Sequence, residues 1–126
     1  MANIWQGDFP VENLNDDSYE RTSPVTAFPA NGYGLFDVVG NVWEWTSSVF
    51  EAPGDARTAK GSAGSCCSPT APAPSRSRVV KGGSHLCAPN YCLRYRPAAR
   101  QGQAVDTSTG HIGFRCVVRD GSAQPF

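Results

Sequence analysis

Two cysteines carry the most specific chemical signal in this sequence. Cys87 and Cys92 are separated by four residues rather than the two typical of zinc ribbons, and no second pair with matching spacing completes a four-ligand site. Two thiolates alone suit a soft ion of low coordination number, such as Cu(I). The same thiols could instead form a redox disulfide, or act as small buried hydrophobic residues. The spacing alone leaves all three interpretations open.

Acidic and amide residues near tight turns form a second candidate site. Asp37 and Glu44 flank Gly40 and Asn41, and a similar set near the N-terminus comprises Asn3, Asp16 and Asp17. Carboxylates among backbone carbonyls can hold Ca²⁺, although the spacing matches no EF-hand loop. On this chemistry alone, roles in turns or helix caps are favoured over metal binding.

The basic residues and histidines give weaker signals. If the segment is extended, alternation places Arg94 and Arg96 on one face with Arg100 nearby, where they could bind a carboxylate or a peptide backbone. An ordinary solvated strand is the favoured interpretation. His85 and His111 lie far apart in sequence, so structural roles are favoured over catalysis. No hydrolase elbow, phosphate-binding loop, dinucleotide fingerprint or metalloprotease motif occurs.

Composition limits what the chain can be. Its 126 residues favour one domain, and 11 basic residues balance 11 acidic ones. A protein that binds nucleic acid or an anionic membrane needs a basic surplus, so neither partner is expected. The apolar runs are too short to cross a bilayer, and the N-terminus does not resemble a secretory signal. With 13 glycines and 10 prolines, the chain favours loops and short strands over a helical bundle.

The elements that must position these residues are correspondingly short. Residues 1–33 are punctuated by prolines and predict an ordered loop. A short helix is predicted near Asp37, and strands are predicted at 42–46, 78–81 and 113–118. Residues 51–77 are rich in Ala, Ser, Pro and Gly and predict a flexible surface loop, which contains the vicinal pair Cys66 and Cys67.

Several motifs, in the right order, resemble the formylglycine-generating enzyme (sulfatase-modifying factor) family. Residues 31–46, NGYGLFDVVGNVWEWT, resemble its central signature, and residues 81–96, KGGSHLCAPNYCLRYR, resemble its active-site segment. Residues 3–10, 98–100 and 113–116 also fit, so the resemblance covers nearly the whole chain except 51–77 and looks most like bacterial members. It implies an α+β, loop-rich, C-type-lectin-like fold with short strands and few helices.

The resemblance also implies an activity. Members of the family use O₂ and Cu(I) to oxidise a cysteine in a C-x-P-x-R motif of an unfolded or nascent sulfatase polypeptide to Cα-formylglycine. By motif alignment, Cys87 and Cys92 fall on the copper ligands, with Cys92 more directly engaged with the substrate thiol. Ser84 and Tyr91 fall on residues that line the oxygen side of the site, and Trp43 falls on a residue that walls it.

Two structural Ca²⁺ sites are implied as well. The resemblance assigns one ion to Asn3, Ile4, Asp17 and Tyr19. It assigns the other to Asp37, Gly40, Val42 and Glu44. The carbonyls of Ile4, Tyr19, Gly40 and Val42 would donate.

The sequence departs from the family pattern in four respects. Residues 88–90, Ala-Pro-Asn, replace a tripeptide that commonly contains histidine. Pro97 stands where some eukaryotic members have a disulfide cysteine, and Cys116 lacks the upstream cysteine with which it pairs in some members. The family domain is also considerably longer, so residues 1–126 are interpreted as one partial domain that corresponds to its C-terminal portion.

Three alternatives to the copper oxidase remain open from the sequence. The chain could be a non-catalytic member that binds a peptide or ligand, or an inactive fragment of a longer enzyme. A related non-haem iron sulfoxide synthase is a third, but it needs a set of histidines, and the chain has only His85 and His111. Because copper binding needs reduced thiols, a bacterial cytoplasm is the expected location.

Overall fold

The computed structural model describes residues 2–51 and 77–118. The predicted flexible loop at 51–77, with Cys66 and Cys67, lies outside the described residues except at its two ends. The described residues form four strands, which are β1 (Trp43–Val49), β2 (Ser77–Lys81), β3 (Gln101–Ala104) and β4 (Ile112–Gly113). One 3₁₀ turn, η1 (Leu93–Tyr95), lies between β2 and β3.

The strands form one mixed sheet in the order β3-β2-β1-β4. β2 pairs antiparallel with both β1 and β3, whereas β4 pairs parallel with the start of β1. Val79 and Val80 are adjacent in β2 and both buried, so both faces of the sheet are covered at this central strand. β-Branched and aromatic residues are common in buried strands, and Trp45 of β1 pairs here with Val80 of β2.

The sequence predicts the two central strands correctly, but the predicted helix and the extent of the predicted last strand are wrong. The predicted strands at 42–46 and 78–81 are confirmed as β1 and β2. The helix near Asp37 does not form, because Asp37, Gly40 and Asn41 have φ values of 50°, 77° and 59°. The last strand ends at Gly113 rather than 118, and within the described residues no strand pairs with 114–118.

The predicted ordered loop at the N-terminus is confirmed over residues 2–33, which contain no helix or strand. Hydrogen bonds to the rest of the chain hold it in place. Trp5 N–H donates to the carbonyl of Cys87 (3.0 Å), and Asn41 N–H donates to the carbonyl of Asn3 (2.7 Å). The loop therefore covers the segment that contains the two predicted copper ligands.

Asn41 is the main link between these loops. Its buried side chain accepts from Ser23 N–H (3.0 Å) and donates to the carbonyl of Ser23 and to Asp37 Oδ2 (both 3.1 Å). Its carbonyl accepts from His85 N–H at 3.0 Å. In these loops the hydrogen bonds of Asn41 thus pair backbone groups that a helix or strand would otherwise pair with each other. In the part of the chain that is described, no helix is long and apolar enough to span a bilayer.

Candidate active site

The loop between Cys87 and Cys92 brings their two sulfurs within 3.2 Å of each other. Both are free thiols; Cys87 is buried and Cys92 is half-buried. Cys87 N–H donates to the carbonyl of Ser84 (2.9 Å) and Cys92 N–H donates to the carbonyl of Ala88 (2.9 Å), so two successive turns fold the segment back on itself. The pair has one sulfur anchored in the interior and one close to solvent.

The sheet supplies the wall of this site. Trp43 and Val80 form a buried cluster with Cys87, and the flanking residues Trp45, Cys92, Tyr95 and Ile112 pack against it. Trp43, predicted to wall the site, thus lies in the same buried cluster as Cys87. Because apolar side chains surround the sulfurs on this side, water has limited access to them.

Burial sets the protonation of the inner cysteine. It raises the pKa of Cys87 to about 11, and the neighbouring Cys92 adds to this, although hydrogen bonds from the backbone and side chain of Ser84 act in the opposite direction. Ser84 is itself fully buried. The thiol of Cys87 consequently keeps its proton at neutral pH unless a cation replaces that proton.

Tyr91 occupies a different environment from the other predicted catalytic residues. It is exposed, and its ring stacks on Phe9 with 4.3 Å between ring centroids and 18° between planes. The structure thus groups Cys87, Cys92, Ser84 and Trp43 around one sulfur pair and holds Tyr91 at the outer side of the connecting loop.

The first predicted Ca²⁺ set contains an unsatisfied carboxylate oxygen. Asp17 Oδ1 accepts from Tyr19 N–H (3.0 Å), whereas Asp17 Oδ2 is buried without a hydrogen-bond partner in the described structure. Asp17 N–H donates to Gln6 Oε1 (2.9 Å), which ties this turn to the segment that contains Asn3 and Ile4. A buried, unpaired carboxylate oxygen is costly, and a hard cation would satisfy it. These residues fit a Ca²⁺ ion.

The second predicted Ca²⁺ set differs, because a guanidinium already occupies its carboxylate. Arg115 donates to both oxygens of Glu44, with 2.7 Å between Nε and Oε2, and to the carbonyl of Phe36 at 2.9 Å. Burial raises the pKa of Asp37; the Asn41 hydrogen bond and Arg115 oppose this, and Glu44 adds to it. Both oxygens of Glu44 accept from Arg115 in this arrangement, so a Ca²⁺ ion bound by Asp37, Gly40, Val42 and Glu44 would share the carboxylate with the guanidinium or displace it. The carbonyls of Gly40 and Val42 stay a predicted part of that set.

The predicted arginine face is wrong. Because η1 turns the chain at Leu93–Tyr95, Arg94 and Arg96 do not alternate along an extended strand. Arg94 instead donates to Gln101 Oε1, and the guanidinium of Arg100 lies 5.6 Å from the centroid of the Phe50 ring. Arg94 and Arg100 thus each contact a different partner within the chain.

The two histidines lie closer together than their sequence separation indicates. Both line one cleft of about 700 Å³, where His85 Nδ1 lies 3.1 Å from the carbonyl of Asn41. Burial lowers the pKa of His111, and the charge of His85 adds to this. Over residues 2–51 and 77–118, no three or more His, Cys, Asp or Glu side chains form a metal-binding cluster. The facial histidine set that an iron sulfoxide synthase needs is thus not present in that part of the chain.

Three contact residues near the cysteines were missed in the sequence. Asp8, Phe9 and Asn90 carry no catalytic pattern, and only the family-like segment 3–10 pointed toward the first two. In the structure, Asn90 Nδ2 donates to Asp8 Oδ1 at 2.6 Å, beside the Phe9–Tyr91 stack.

Comparison with known proteins identifies the family to which this chain belongs. The model of the sulfatase-modifying factor enzyme 1-like domain matches residues 1–120. The chain belongs to this family, and the predicted α+β, C-type-lectin-like fold with short strands and few helices is confirmed.

Individual relatives define the family further. The chain is 55% identical over 127 residues to the formylglycine-generating enzyme of Mycobacterium tuberculosis, which covers 93% of this chain and 40% of that protein. It is 50% identical to the enzyme of the same name from Mus musculus, in an alignment that covers 91% of this chain and 29% of that protein. The inactive Cα-formylglycine-generating enzyme 2 from Bos taurus is 34% identical, in an alignment that covers 98% of this chain and 35% of that protein. The chain spans about a third of the length of these relatives.

Proposed function

We propose that this chain carries the cysteine-oxidising centre of a formylglycine-generating enzyme. The observation that supports this most directly is the 3.2 Å approach of the Cys87 and Cys92 sulfurs, in a chain 55% identical to an enzyme of that name. The proposed substrate is a cysteine in a C-x-P-x-R motif of an unfolded or nascent sulfatase polypeptide, and the location is a bacterial cytoplasm.

The proposed reaction needs a reductant besides the substrate. The substrate side chain loses two electrons as its CH₂SH group becomes an aldehyde and its sulfur leaves as H₂S. Because O₂ accepts four electrons, two molecules of a small thiol supply the other two electrons and two protons as they join in a disulfide, and one water is formed. A site with two thiols and no further charged ligand is suited to Cu(I), which when bound supplies electrons to O₂ and a position for the substrate thiolate.

The residues of the chain have distinct roles in this proposal. Cys87 and Cys92 hold the ion, and Cys92, being half-buried, faces the substrate thiol. Ser84 donates a hydrogen bond to the Cys87 sulfur and thereby stabilises its thiolate. Trp43 closes the inner side of the site against water. The balanced charge of the chain suits a groove for an extended peptide, whose recognition depends on a few side-chain pockets.

Substitution of Cys92 by serine tests this function. The variant is expected to lose formylglycine formation on a C-x-P-x-R peptide, because serine is a poor ligand for a soft ion. Peptide mass spectrometry measures the product, and circular dichroism checks the fold. The control is Cys116→Ser, which changes an exposed cysteine and should leave turnover intact. Turnover retained in the Cys92 variant would contradict the assignment.

One observation favours a second candidate function. The chain spans about a third of its relatives, and one of those is named as inactive. A non-catalytic member, or a fragment, would bind the peptide without consuming O₂. Peptide binding in the parent chain without O₂ uptake, after Cu(I) loading, would select this candidate over the oxidase.

We further propose that Asn3, Ile4, Asp17 and Tyr19 bind one structural Ca²⁺. A ligand that binds only the folded state stabilises it by about 2.7 kcal/mol at a concentration of 100 times Kd. Millimolar Ca²⁺ is therefore expected to raise the Tm of the parent chain by several degrees, and Asp17→Asn should remove that increase. Asp16→Asn, which changes an exposed neighbouring carboxylate, should retain it. A calorimetric Tm that does not respond to Ca²⁺ would show that the site is not formed.

A further inference from the structure

Two backbone hydrogen bonds support the loop between the two cysteines from within, and both end at one residue. Ala88 is fully buried, and its carbonyl accepts from Tyr91 N–H (3.2 Å) and Cys92 N–H (2.9 Å). Pro89, Asn90 and Tyr91 are all exposed. Cys92 packs against the buried cluster, but because the middle of the loop is exposed, the position of the Cys92 sulfur also depends on how the loop is held from outside.

A segment about 80 residues earlier in the chain supplies that outside contact. Asp8 Oδ1 accepts from Asn90 Nδ2 at 2.6 Å, and Phe9 stacks on Tyr91. The Trp5 ring packs edge-on against Phe9 with 5.0 Å between ring centroids. The backbone N–H of Trp5 donates to the carbonyl of Cys87 at 3.0 Å. Residues 5–9 therefore contact the loop at its first cysteine and at two of its exposed positions.

These contacts act on the geometry of the sulfur pair. A hydrogen bond to a charged carboxylate and an aromatic stack each restrict the conformations open to an exposed loop. Both Cu(I) binding and disulfide formation need the two sulfurs to meet, so each is favoured when the loop is already held in that arrangement.

We infer that Asp8 and Phe9 are positioning residues for the cysteine pair, acting through Asn90 and Tyr91 to hold the Cys92 sulfur against the Cys87 sulfur. The part of this inference that concerns copper rests on the proposed function. The part that concerns the approach of the two sulfurs does not, since it can be measured without metal.

The first test exchanges donor and acceptor. Asn90→Asp places two carboxylates together and should push the loop away, whereas Asp8→Asn in the same chain restores an amide facing a carboxylate. Phe9→Ala removes the stack, and Phe9→Tyr keeps an aromatic ring. Tyr33→Ala, which removes a highly exposed aromatic ring, is the matched control.

The main readout is the thiol–disulfide equilibrium in glutathione buffers. The two thiols reduce oxidised glutathione to two molecules of glutathione and become a disulfide, which alkylation and mass spectrometry quantify. The measurement uses a background in which Cys66, Cys67 and Cys116 are serine. Asn90→Asp and Phe9→Ala are each expected to lower the equilibrium constant about tenfold. The Asp8→Asn/Asn90→Asp double variant and Phe9→Tyr are expected to return close to the parent.

Cu(I) affinity, measured anaerobically against a competing chelator, is the second readout. If the disulfide equilibrium is unchanged in both Asn90→Asp and Phe9→Ala, or shifts without rescue by the paired variants, the inference is overturned whatever copper does. If the parent does not bind Cu(I) but the equilibrium shifts and is rescued, the inference stands and the proposed function fails. If Phe9→Ala unfolds the chain, the Asp8 and Asn90 variants decide the matter.

Discussion

The Cys87→Ala/Cys92→Ala double variant is expected to lose tight one-to-one Cu(I) binding, by a factor of about 1,000 or more, since both soft ligands are removed. The sulfurs of the parent lie 3.2 Å apart, so little rearrangement is needed to form the site. Anaerobic titration against a chelator measures the effect, and Cys116→Ala is the control because it removes an exposed thiol. Weak binding of equal strength in the parent and the double variant would mean that this chain does not form the site.

The pH dependence of that titration gives an independent check. Because the pKa of Cys87 is raised to about 11, its proton must leave when a cation binds. Below that pKa, Cu(I) affinity is expected to rise with pH, about tenfold per unit for each proton released, after correction for the chelator. Affinity that is independent of pH between 6 and 8 would show that the buried thiol is not a ligand.

Gly40→Ala is expected to destabilise the chain more than Gly34→Ala does, although both glycines have a positive φ and both lie in the signature at residues 31–46. A Cβ at Gly40 would lie 2.2 Å from the backbone oxygen of Asn3 and 2.9 Å from its carbonyl carbon. Neither backbone atom can rotate away as a side chain could. The two segments would have to separate, which would break the hydrogen bond from Asn41 N–H to the Asn3 carbonyl.

Gly34→Ala is the matched control for this change. Gly34 has a φ of 74°, close to the 77° of Gly40, but no atom of the described residues beyond its chain neighbours lies within 4 Å of the added Cβ. The left-handed conformation alone costs about 1–2 kcal/mol for alanine, and the clash at Gly40 is expected to add about 2 kcal/mol or more. Urea unfolding measures both variants. Equal losses in the free energy of unfolding would show that the Asn3 contact does not constrain this turn.

Local sequence pattern determines the centre of this fold but not its connections. β1 and β2 are predictable because aromatic and β-branched residues cluster there, whereas β3, with the sequence Gln-Gly-Gln-Ala, forms only because β2 offers it an edge. The helix near Asp37 fails for a related reason, since a contact with the distant Ser23 fixes Asn41 in left-handed backbone, which asparagine tolerates but a helix cannot contain.

The candidate site shows the same division. The sequence displays directly the short loop that joins Cys87 and Cys92, whose sulfurs meet, but not the distant contacts that hold that loop. The pairing of Glu44 with Arg115 joins residues 71 positions apart, and that of Asp8 with Asn90 joins residues 82 positions apart. No pattern within one segment can predict such pairs, because their geometry exists only after the loops have packed.

The hydrogen bonds of Asn41 have a consequence for how the chain opens. Its groups contact Asn3, Ser23, Asp37 and His85, so four segments that lack regular secondary structure share one residue. Breaking any one of these contacts exposes buried polar groups in the others, which raises the cost of partial opening. The loops should therefore open as a single cooperative unit, so that their amide protons become exchangeable together. The protection of the cysteine pair from solvent would then depend on these loops as well as on the sheet.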